Sequence, residues 1–186
     1  MPAPSSPVPA AEPLTLHLAS ETDTAALATA IAGALQPGTR IHLSGDLGSG
    51  KTAFTRALLR FLGHTGRVKS PTFSLVEPYN LSRFDLYHFD FYRLSSERAW
   101  LDAGFDEYLD GNGVAVIEWP EMADGLPAPD LLLRFDYEPA AGEPAAGETT
   151  RRVTIEAASD RGRACLNAIR AAGCCTPAPG PEPASR

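Results

Sequence analysis

The chain has 186 residues and a net charge of −7, so it is long enough for one sizeable core and too acidic to coat nucleic acid through bulk charge. It has no apolar run of the length that a membrane span needs, and its three cysteines argue against a disulfide framework. A reducing cytoplasm fits this cysteine usage.

Composition divides the chain into one folded domain and two tails. Residues 1–12 and 176–186 are rich in Pro and Ala, which predicts disorder in both segments. The folded domain is then expected to span residues 13–175. The neighbouring Cys174 and Cys175 have no His or acid at ligand spacing, so we expect no metal site there.

Apolar periodicity and turn residues predict an α/β domain, with a mixed central sheet flanked by helices. Two successive strands form a β-hairpin, which adds an antiparallel component. Ser20 and Asp23 have the spacing of a capping box at the start of the first helix. The predicted elements are a strand over 14–18, a helix from Ser20, a strand over 40–44, a helix after the glycine loop, strands over 72–79 and 85–91, short helices over 95–109, strands over 114–117, 130–137 and 151–157, and a helix over 159–172.

Residues 45–52 match the phosphate-loop (Walker A) pattern G-x-x-x-x-G-K-[S/T] between a predicted strand and a predicted helix. Glycines let backbone N–H groups turn toward phosphate oxygens, a Lys ammonium reaches the terminal phosphates, and a Thr hydroxyl is a ligand for Mg²⁺. The chain uses Arg nearly everywhere, yet it has Lys at position 51, which we expect to be exposed on the loop. The alternative is a glycine-rich turn that binds no ligand. The predicted nucleotide-binding residues of the loop are Gly45, Asp46, Leu47, Gly48, Ser49, Gly50, Lys51 and Thr52.

The helix after this loop is expected to bury one apolar face. Arg56 and Arg60 stand on its other face, and no motif of the chain positions an arginine over the loop. The apolar face is formed by Phe54, Ala57, Leu58, Phe61 and Leu62.

Two acids are candidates for holding Mg²⁺ and for catalysis, because a phosphate-loop site uses a carboxylate at the end of a neighbouring strand. Glu118 follows the apolar run over 114–117, and Asp90 stands inside an aromatic strand. A buried carboxylate needs a donor or a cation as partner. The alternatives are a surface acid at a strand end for Glu118 and an ion pair with Arg93 or another arginine for Asp90.

Three further residues are candidates for a switch or for contacts behind the ligands. Thr72 follows Pro71 after the phosphate-loop helix, where a switch segment would sense the γ-phosphate, and the alternative is a turn that enters a strand. Trp119 either packs over the site or fills the core. His88 has no nucleophile pattern and no second metal ligand around it, so we interpret it as structural or as a support for the site.

The sequence favours ATP over GTP as the ligand, because neither of its two lysines, Lys51 and Lys69, belongs to an N-K-x-D guanine-reading motif. Two other hypotheses stay open on the loop alone. One is a small-molecule P-loop kinase, which would need an arginine-bearing lid and a second substrate pocket. The other is a nucleotide-binding scaffold that works by docking and hardly turns over.

Four motifs that occur here in order resemble the TsaE family, the bacterial ATPases of tRNA threonylcarbamoyladenosine biosynthesis. They are the loop over 45–52, Lys-Ser-Pro-Thr-Phe over 69–73, His-Phe-Asp-Phe-Tyr-Arg-Leu over 88–94 and Ile-Glu-Trp-Pro-Glu over 117–121. The resemblance covers about residues 14–172 and implies a P-loop NTPase fold that binds ATP and Mg²⁺ and hydrolyses ATP slowly when alone.

The resemblance also implies partners and roles for particular residues. The partners would be the TsaD and TsaB proteins, which modify the adenosine beside the tRNA anticodon, so that tRNA would be met only through the complex. Asp90 and Glu118 would be the functional acids, Trp119 would lie beside the site, and Ser20 would lie near the adenine. Arg151 and Arg152 are weaker candidates for contacts with the nucleotide.

Overall fold

The protein is described by a computed structural model that covers residues 11–138 and 150–173. Most of the two predicted tails, over 1–12 and 176–186, lies outside the described residues, as do Cys174 and Cys175. The connection over 139–149, which precedes Arg151, also lies outside them. Among the described residues, none of the helices has the length and apolar composition that crossing a bilayer requires.

The described residues form strands and helices close to the predicted ones. The strands are β1 Leu14–Leu18, β2 Arg40–Gly45, β3 Val76–Asn80, β4 Asp85–Asp90, β5 Val114–Glu118, β6 Leu131–Tyr137 and β7 Arg151–Ala157. The helices are α1 Glu21–Ala34, α2 Lys51–Phe61, α3 Ala99–Asp102, α4 Asp106–Leu109 and α5 Asp160–Ala172, and a 3₁₀ turn covers Pro120–Met122. The predicted capping box between Ser20 and Asp23 is present at the start of α1.

All seven strands belong to one mixed sheet in the order β1-β7-β6-β2-β5-β4-β3. β6, β2, β5 and β4 run parallel to their neighbours in the centre of this order. β3 and β4 form the predicted antiparallel hairpin, and β7 pairs antiparallel with both β6 and β1. Because parallel strands end at the same edge, the last residues of β2, β4 and β5 come together there.

Helices cover both faces of the sheet, which separates the core into two clusters. Successive residues of β5 point to opposite faces, so Val116 joins one cluster and Ile117 the other. Leu58 of α2 belongs to the cluster of Val116, together with residues of α1 and α5. Trp100 of α3 belongs to the cluster of Ile117, together with Leu109 of α4. Every residue of β5 is buried, as expected for a central strand.

Two local predictions are wrong in part. The strand predicted over 72–79 begins only at Val76, because the backbone N–H of Leu75 donates to the carbonyl of Pro71 and closes a turn. Leu75 itself has a positive φ of 63°. Phe61 is 52% exposed although it was expected on the apolar face of α2, because the buried face advances through Leu58 and Leu59 instead.

Replacing Gly45 with Ala should destabilise the protein more than a positive φ alone explains. Gly45 has φ 132°, and a Cβ there would lie 2.2 Å from the carbonyl oxygen of Phe135 on the paired strand β6. Gly63 is the matched control, since its φ is 95° and no atom of the described residues lies within 4 Å of its Cβ position. We expect Gly63→Ala to lower the free energy of unfolding by about 1–2 kcal/mol through backbone strain. Gly45→Ala should cost about 1–3 kcal/mol more through overpacking, measured by urea denaturation. Equal losses in the two variants would contradict this account of the strand-to-loop junction.

Candidate functional site

The loop between β2 and α2 has the backbone shape of an anion cradle. Gly48 and Gly50 have positive φ values of 78° and 112°. A Cβ at Gly48 would lie 2.8 Å from the hydroxyl oxygen of Tyr137, so the loop passes close to β6. Within residues 11–138 and 150–173 no side chain caps the first turn of α2, which leaves its N–H groups and the positive end of the helix dipole available to a ligand.

Lys51 is buried, with 4% of its surface exposed, so the expectation that it is exposed on the loop is wrong. Its ammonium donates to the carbonyl oxygens of Gly45 and Asp46, the second at 2.9 Å, and lies 4.0 Å from the centre of the Trp119 ring. Burial lowers the pKa of Lys51, and the neighbouring carboxylates, Glu118 first among them, act against that shift. Two carbonyl groups of the loop and the face of the Trp119 ring therefore hold the Lys51 ammonium in place.

Glu118 ends β5 and is only 3% exposed, so it is not the surface acid of the alternative interpretation. Its Oε2 accepts a hydrogen bond of 3.0 Å from the hydroxyl of Thr52 in the first turn of α2. Its Oε1 lies 2.8 Å from Nε2 of His88. The carboxylate thus connects the phosphate loop with the neighbouring strand β4.

Asp90 ends β4 directly beside Glu118, its partner in the strand register. Its Oδ2 accepts hydrogen bonds from the hydroxyls of Thr72, at 3.0 Å, and Ser70, and its Oδ1 accepts one of 3.0 Å from the backbone N–H of Tyr92. No ion pair links Asp90 to an arginine among residues 11–138 and 150–173. The turn that contains Thr72 is therefore hydrogen-bonded to Asp90. Within the described residues, the alternative that Asp90 forms an ion pair with an arginine is wrong.

Trp119 lies beside Lys51 in a backbone conformation that few large residues adopt. Its φ and ψ are 59° and 49°, in the left-handed region, and its N–H donates to the carbonyl of Leu43 at 3.2 Å. The side chain is half-buried, and its ring centre lies 4.8 Å from that of Tyr92. A left-handed non-glycine residue costs about 1–3 kcal/mol, which the surrounding contacts must supply. Both roles that the sequence left open for Trp119 are therefore present: it lies over the phosphate loop, and it packs against the core.

A cavity of about 490 Å³ opens above the loop and brings most of the predicted residues together. Neither Gly45 nor Asp46 lines it, although their carbonyls hold Lys51, and His88 lies beneath it. The predicted residues that line it are Leu47, Gly48, Ser49, Gly50, Lys51, Thr52, Thr72, Asp90, Glu118 and Trp119, and the remaining lining residues are Ala53, Arg56, Ser70, Phe73, Tyr92, Arg93 and Arg151.

Arginines of the chain itself reach this cavity, although no sequence motif positions one over the loop. Arg151 begins β7 and pairs with Tyr137 of β6, and its Cδ and Nε lie 3.3 Å from the Cβ position of Gly50. Arg56 and Arg93 also line the cavity. The antiparallel pairing of β7 with β6 carries Arg151 to the loop edge, while Arg152 is not among the lining residues.

Ser20 lies outside this cavity, exposed at the cap of α1, where its hydroxyl accepts a hydrogen bond from the backbone N–H of Asp23. The next residue, Glu21, lines a second cavity of about 450 Å³ between α1 and α2. Ala53 and Arg56 line both cavities, so the two adjoin at the start of α2. The proximity of Ser20 to a bound base therefore stays a prediction.

The cavity has polar groups that fit a phosphate chain and a magnesium ion. The buried Oγ of Ser49 and Nε of Arg151 have no hydrogen-bond partner among the described residues. Among residues 11–138 and 150–173, no group of three or more His, Cys, Asp or Glu side chains is placed to hold a metal ion. Mg²⁺ usually takes one or two carboxylates together with phosphate oxygens and waters, so the pair of acids beside Thr52 suits it without a larger cage.

Sequence reasoning missed two contacts that shape the site. The hydroxyl of Ser70 donates a hydrogen bond to Asp90. Ser70 belongs to the Lys-Ser-Pro-Thr-Phe motif, from which only Thr72 was predicted to be a site residue. Tyr137 donates from its hydroxyl to the carbonyl of Leu47 at 3.0 Å, and no sequence pattern marks it.

Comparison with known proteins gives consistent matches. The family model described as "Threonylcarbamoyl adenosine biosynthesis protein TsaE" matches residues 18–145. A Haemophilus influenzae protein named "tRNA threonylcarbamoyladenosine biosynthesis protein TsaE" is 45% identical over 98 residues, which cover 52% of this chain and 62% of that protein. A Bacillus subtilis protein of the same name is 37% identical over 140 residues, covering 75% of this chain and 82% of the relative. The match to the Haemophilus protein thus spans less than two thirds of its length.

The fold also matches a solved structure. The crystal structure of Bacillus subtilis YdiB superimposes with a TM-score of 0.69 at 30% sequence identity, over 86% of this chain and 95% of that chain. This match, the family match and the observed sheet confirm the predicted P-loop NTPase fold.

Proposed function

This chain belongs to the TsaE family, and on that premise we propose that it binds ATP and Mg²⁺ and hydrolyses ATP slowly in support of threonylcarbamoyl modification of the tRNA adenosine next to the anticodon. The observation that carries the proposal is the contact between Thr52 of the phosphate loop and Glu118 at the end of β5. We further propose that the ATPase domain spans residues 13–175 and works in the cytoplasm.

The phosphates of ATP would bind in the loop and the base beside it. Backbone N–H groups at the start of α2 face the phosphates, and Lys51 exchanges its contacts with loop carbonyls for contacts with phosphate oxygens. The adjoining cleft between α1 and α2 suits the base, because Ala53 and Arg56 belong to both cavities and Glu21 follows Ser20 at its rim.

The two acids take different roles in this proposal. Mg²⁺ held with the phosphates would neutralise the charge that develops on them. Glu118 would help to hold the magnesium ion, because it already contacts the hydroxyl of Thr52, the other proposed ligand. Asp90 is assigned to the attacking water, because Ser70 and Thr72 orient its carboxylate beside that pair.

The reaction itself is hydrolysis of the terminal anhydride. A water oxygen forms a bond to the γ-phosphorus, the bond from that phosphorus to the bridging oxygen breaks, and ADP and inorganic phosphate leave. Asp90 orients the water and receives its proton, and Lys51 and Arg151 supply positive charge close to the phosphates. Among the described residues the Nε of Arg151 has no hydrogen-bond partner, and its side chain lies against Gly50, which supports this role.

TsaD and TsaB are the proposed partners, and tRNA would be met only through them because the chain carries a net charge of −7. Phe73 lines the cavity and is 87% exposed, so this part of the rim is open to solvent. A partner that covered this rim would exclude water and hold the switch turn over 72–74 in one arrangement. This argument supports slow hydrolysis alone and faster hydrolysis in the complex.

Asp90→Asn and Glu118→Gln should each keep ATP binding and lose most ATP hydrolysis. Each change keeps the shape of the side chain and removes the charge that acts mainly on the chemical step, so turnover should fall by about 10²–10⁴. Asp85→Asn is the matched control, because Asp85 is an exposed acid at the opposite end of the same strand and accepts a hydrogen bond from Asn80. The measurements are calorimetric binding of ATP and phosphate release in the presence of the partner proteins. A variant of either acid that turned over at the parent rate would remove that residue from the site.

The isolated chain should release phosphate at a rate on the order of 10⁻⁴ to 10⁻² per second, the range of P-loop proteins without and with an arginine of their own. Adding the TsaD–TsaB pair should raise this rate, and adding tRNA without the pair should not change it. Phosphate release from the chain alone, with tRNA, and with the pair is the test, and Lys51→Met corrects for contaminating ATPases. Fast turnover that the pair leaves unchanged would favour an autonomous ATPase, and phosphate found on a small molecule would favour the kinase. Tight ATP binding without release would favour the scaffold.

A further inference from the structure

His88 lies on β4 beneath the cavity and has no exposed side-chain surface. Its Nε2 contacts Oε1 of Glu118 at 2.8 Å, while Oε2 of the same carboxylate accepts the hydrogen bond from Thr52 at 3.0 Å. The carboxylate is therefore held at both oxygens, by His88 from the sheet and by Thr52 from the first turn of α2.

Strand pairing explains why these two side chains meet. β4 and β5 are parallel, with His88 opposite Val116 and Asp90 opposite Glu118. His88 and Glu118 thus lie on the same face of the sheet as diagonal neighbours, within reach of long side chains. The contact is set by the central strands and does not depend on the loops around the cavity.

The direction of the hydrogen bond follows from the chemistry of the partners. An ionised carboxylate only accepts, so Nε2 of His88 is the donor. The opposite ring atom, Nδ1, is buried and has no partner among the described residues. An unprotonated Nδ1 suits this environment, because a protonated one would bury an N–H group without an acceptor. One imidazole hydrogen bond therefore directs one oxygen of Glu118 toward the sheet and leaves the other for Thr52 and the cavity.

A purely structural role would not require a polar side chain at this position. Three neighbours of His88 on this sheet face, Leu86, Val114 and Val116, are fully buried and apolar. Two acids on the same face, Glu77 and Asp90, flank His88 toward the sheet edge and toward the end of β4. Burying an imidazole with a carboxylate costs desolvation that an apolar pair avoids. We propose that His88 is a positioning residue, which fixes the Glu118 carboxylate so that its second oxygen meets Thr52 and the magnesium ion of the bound nucleotide. This inference rests on the proposed function and adds a residue to it.

The test measures the Mg²⁺ concentration that gives half-maximal binding of the non-hydrolysed analogue AMP-PNP, by calorimetry with the full chain. His88→Leu should raise that concentration about 10-fold to 100-fold, the usual effect of losing a partner behind a metal-binding carboxylate. AMP-PNP affinity in EDTA should not change. His88→Gln keeps an amide donor near the position of Nε2 and should restore most of the Mg²⁺ dependence, whereas His88→Asn, one methylene shorter, should not.

His42→Leu is the matched control for loss of a buried imidazole from the same sheet. His42 is 6% exposed on β2, and it pairs with Ile117, whose side chain lies on the face of the sheet opposite to Glu118. This variant should leave the half-saturating Mg²⁺ concentration unchanged. Far-UV circular dichroism identifies unfolded variants, and the comparison of Gln with Asn at position 88 keeps the test decisive if His88→Leu does not fold.

A double-mutant cycle separates positioning from any independent role of His88. Once Glu118→Ala has removed the carboxylate, His88→Leu should produce no further change in the Mg²⁺ dependence. A further change in that background, or an unchanged Mg²⁺ dependence in folded His88→Leu, would overturn the inference. If Glu118→Ala raises the half-saturating concentration and His88→Leu does not, the proposed function stands and only the inference fails. If the parent chain binds AMP-PNP without any Mg²⁺ dependence, the proposed function fails as well.

Discussion

Parallel pairing of the central strands is the constraint on which the rest of the site depends. β2, β4 and β5 end at one edge of the sheet, so the phosphate loop, Asp90 and Glu118 leave the sheet side by side. The residue order of each strand then decides which side chains face α2. The hydrogen bond between Thr52 and Glu118 closes this arrangement, because it ties the first turn of the loop helix to the end of the neighbouring strand.

The lysine of the loop and the two acids at this edge are each paired before any ligand is considered. Lys51 is held by loop carbonyls, Glu118 by a hydroxyl and an imidazole, and Asp90 by two hydroxyls and a backbone N–H. Unpaired charges at this depth would cost several kcal/mol each, so these contacts stabilise the apo arrangement. A bound nucleotide would exchange some of these contacts for phosphate oxygens and magnesium. The proposed site is thus largely preformed.

The sequence predicts most of the fold and the acids of the candidate site, because both follow from local patterns. A strand, a glycine loop and a helix are readable over 40–62, and Glu118 directly follows an apolar run. Arg151 is not predictable in the same way, since its contact with Gly50 depends on the register of β7 against β6 across a connection that has no pattern. The start of β3 was misplaced because Leu75 bonds back to Pro71, a contact that strand propensity does not reveal.

Calorimetric titration of the chain with ATP and with GTP in the presence of Mg²⁺, alongside the Lys51→Met variant, decides whether this edge of the sheet binds a nucleotide. We expect one ATP bound per chain and weaker binding of GTP, because the sequence has no guanine-reading motif. Lys51→Met should lose binding, because the ammonium that would meet the terminal phosphates is removed, while circular dichroism still reports a folded chain. A folded Lys51→Met variant with unchanged ATP affinity, or a parent chain that binds neither nucleotide, would contradict the claim that this edge of the sheet is a nucleotide site.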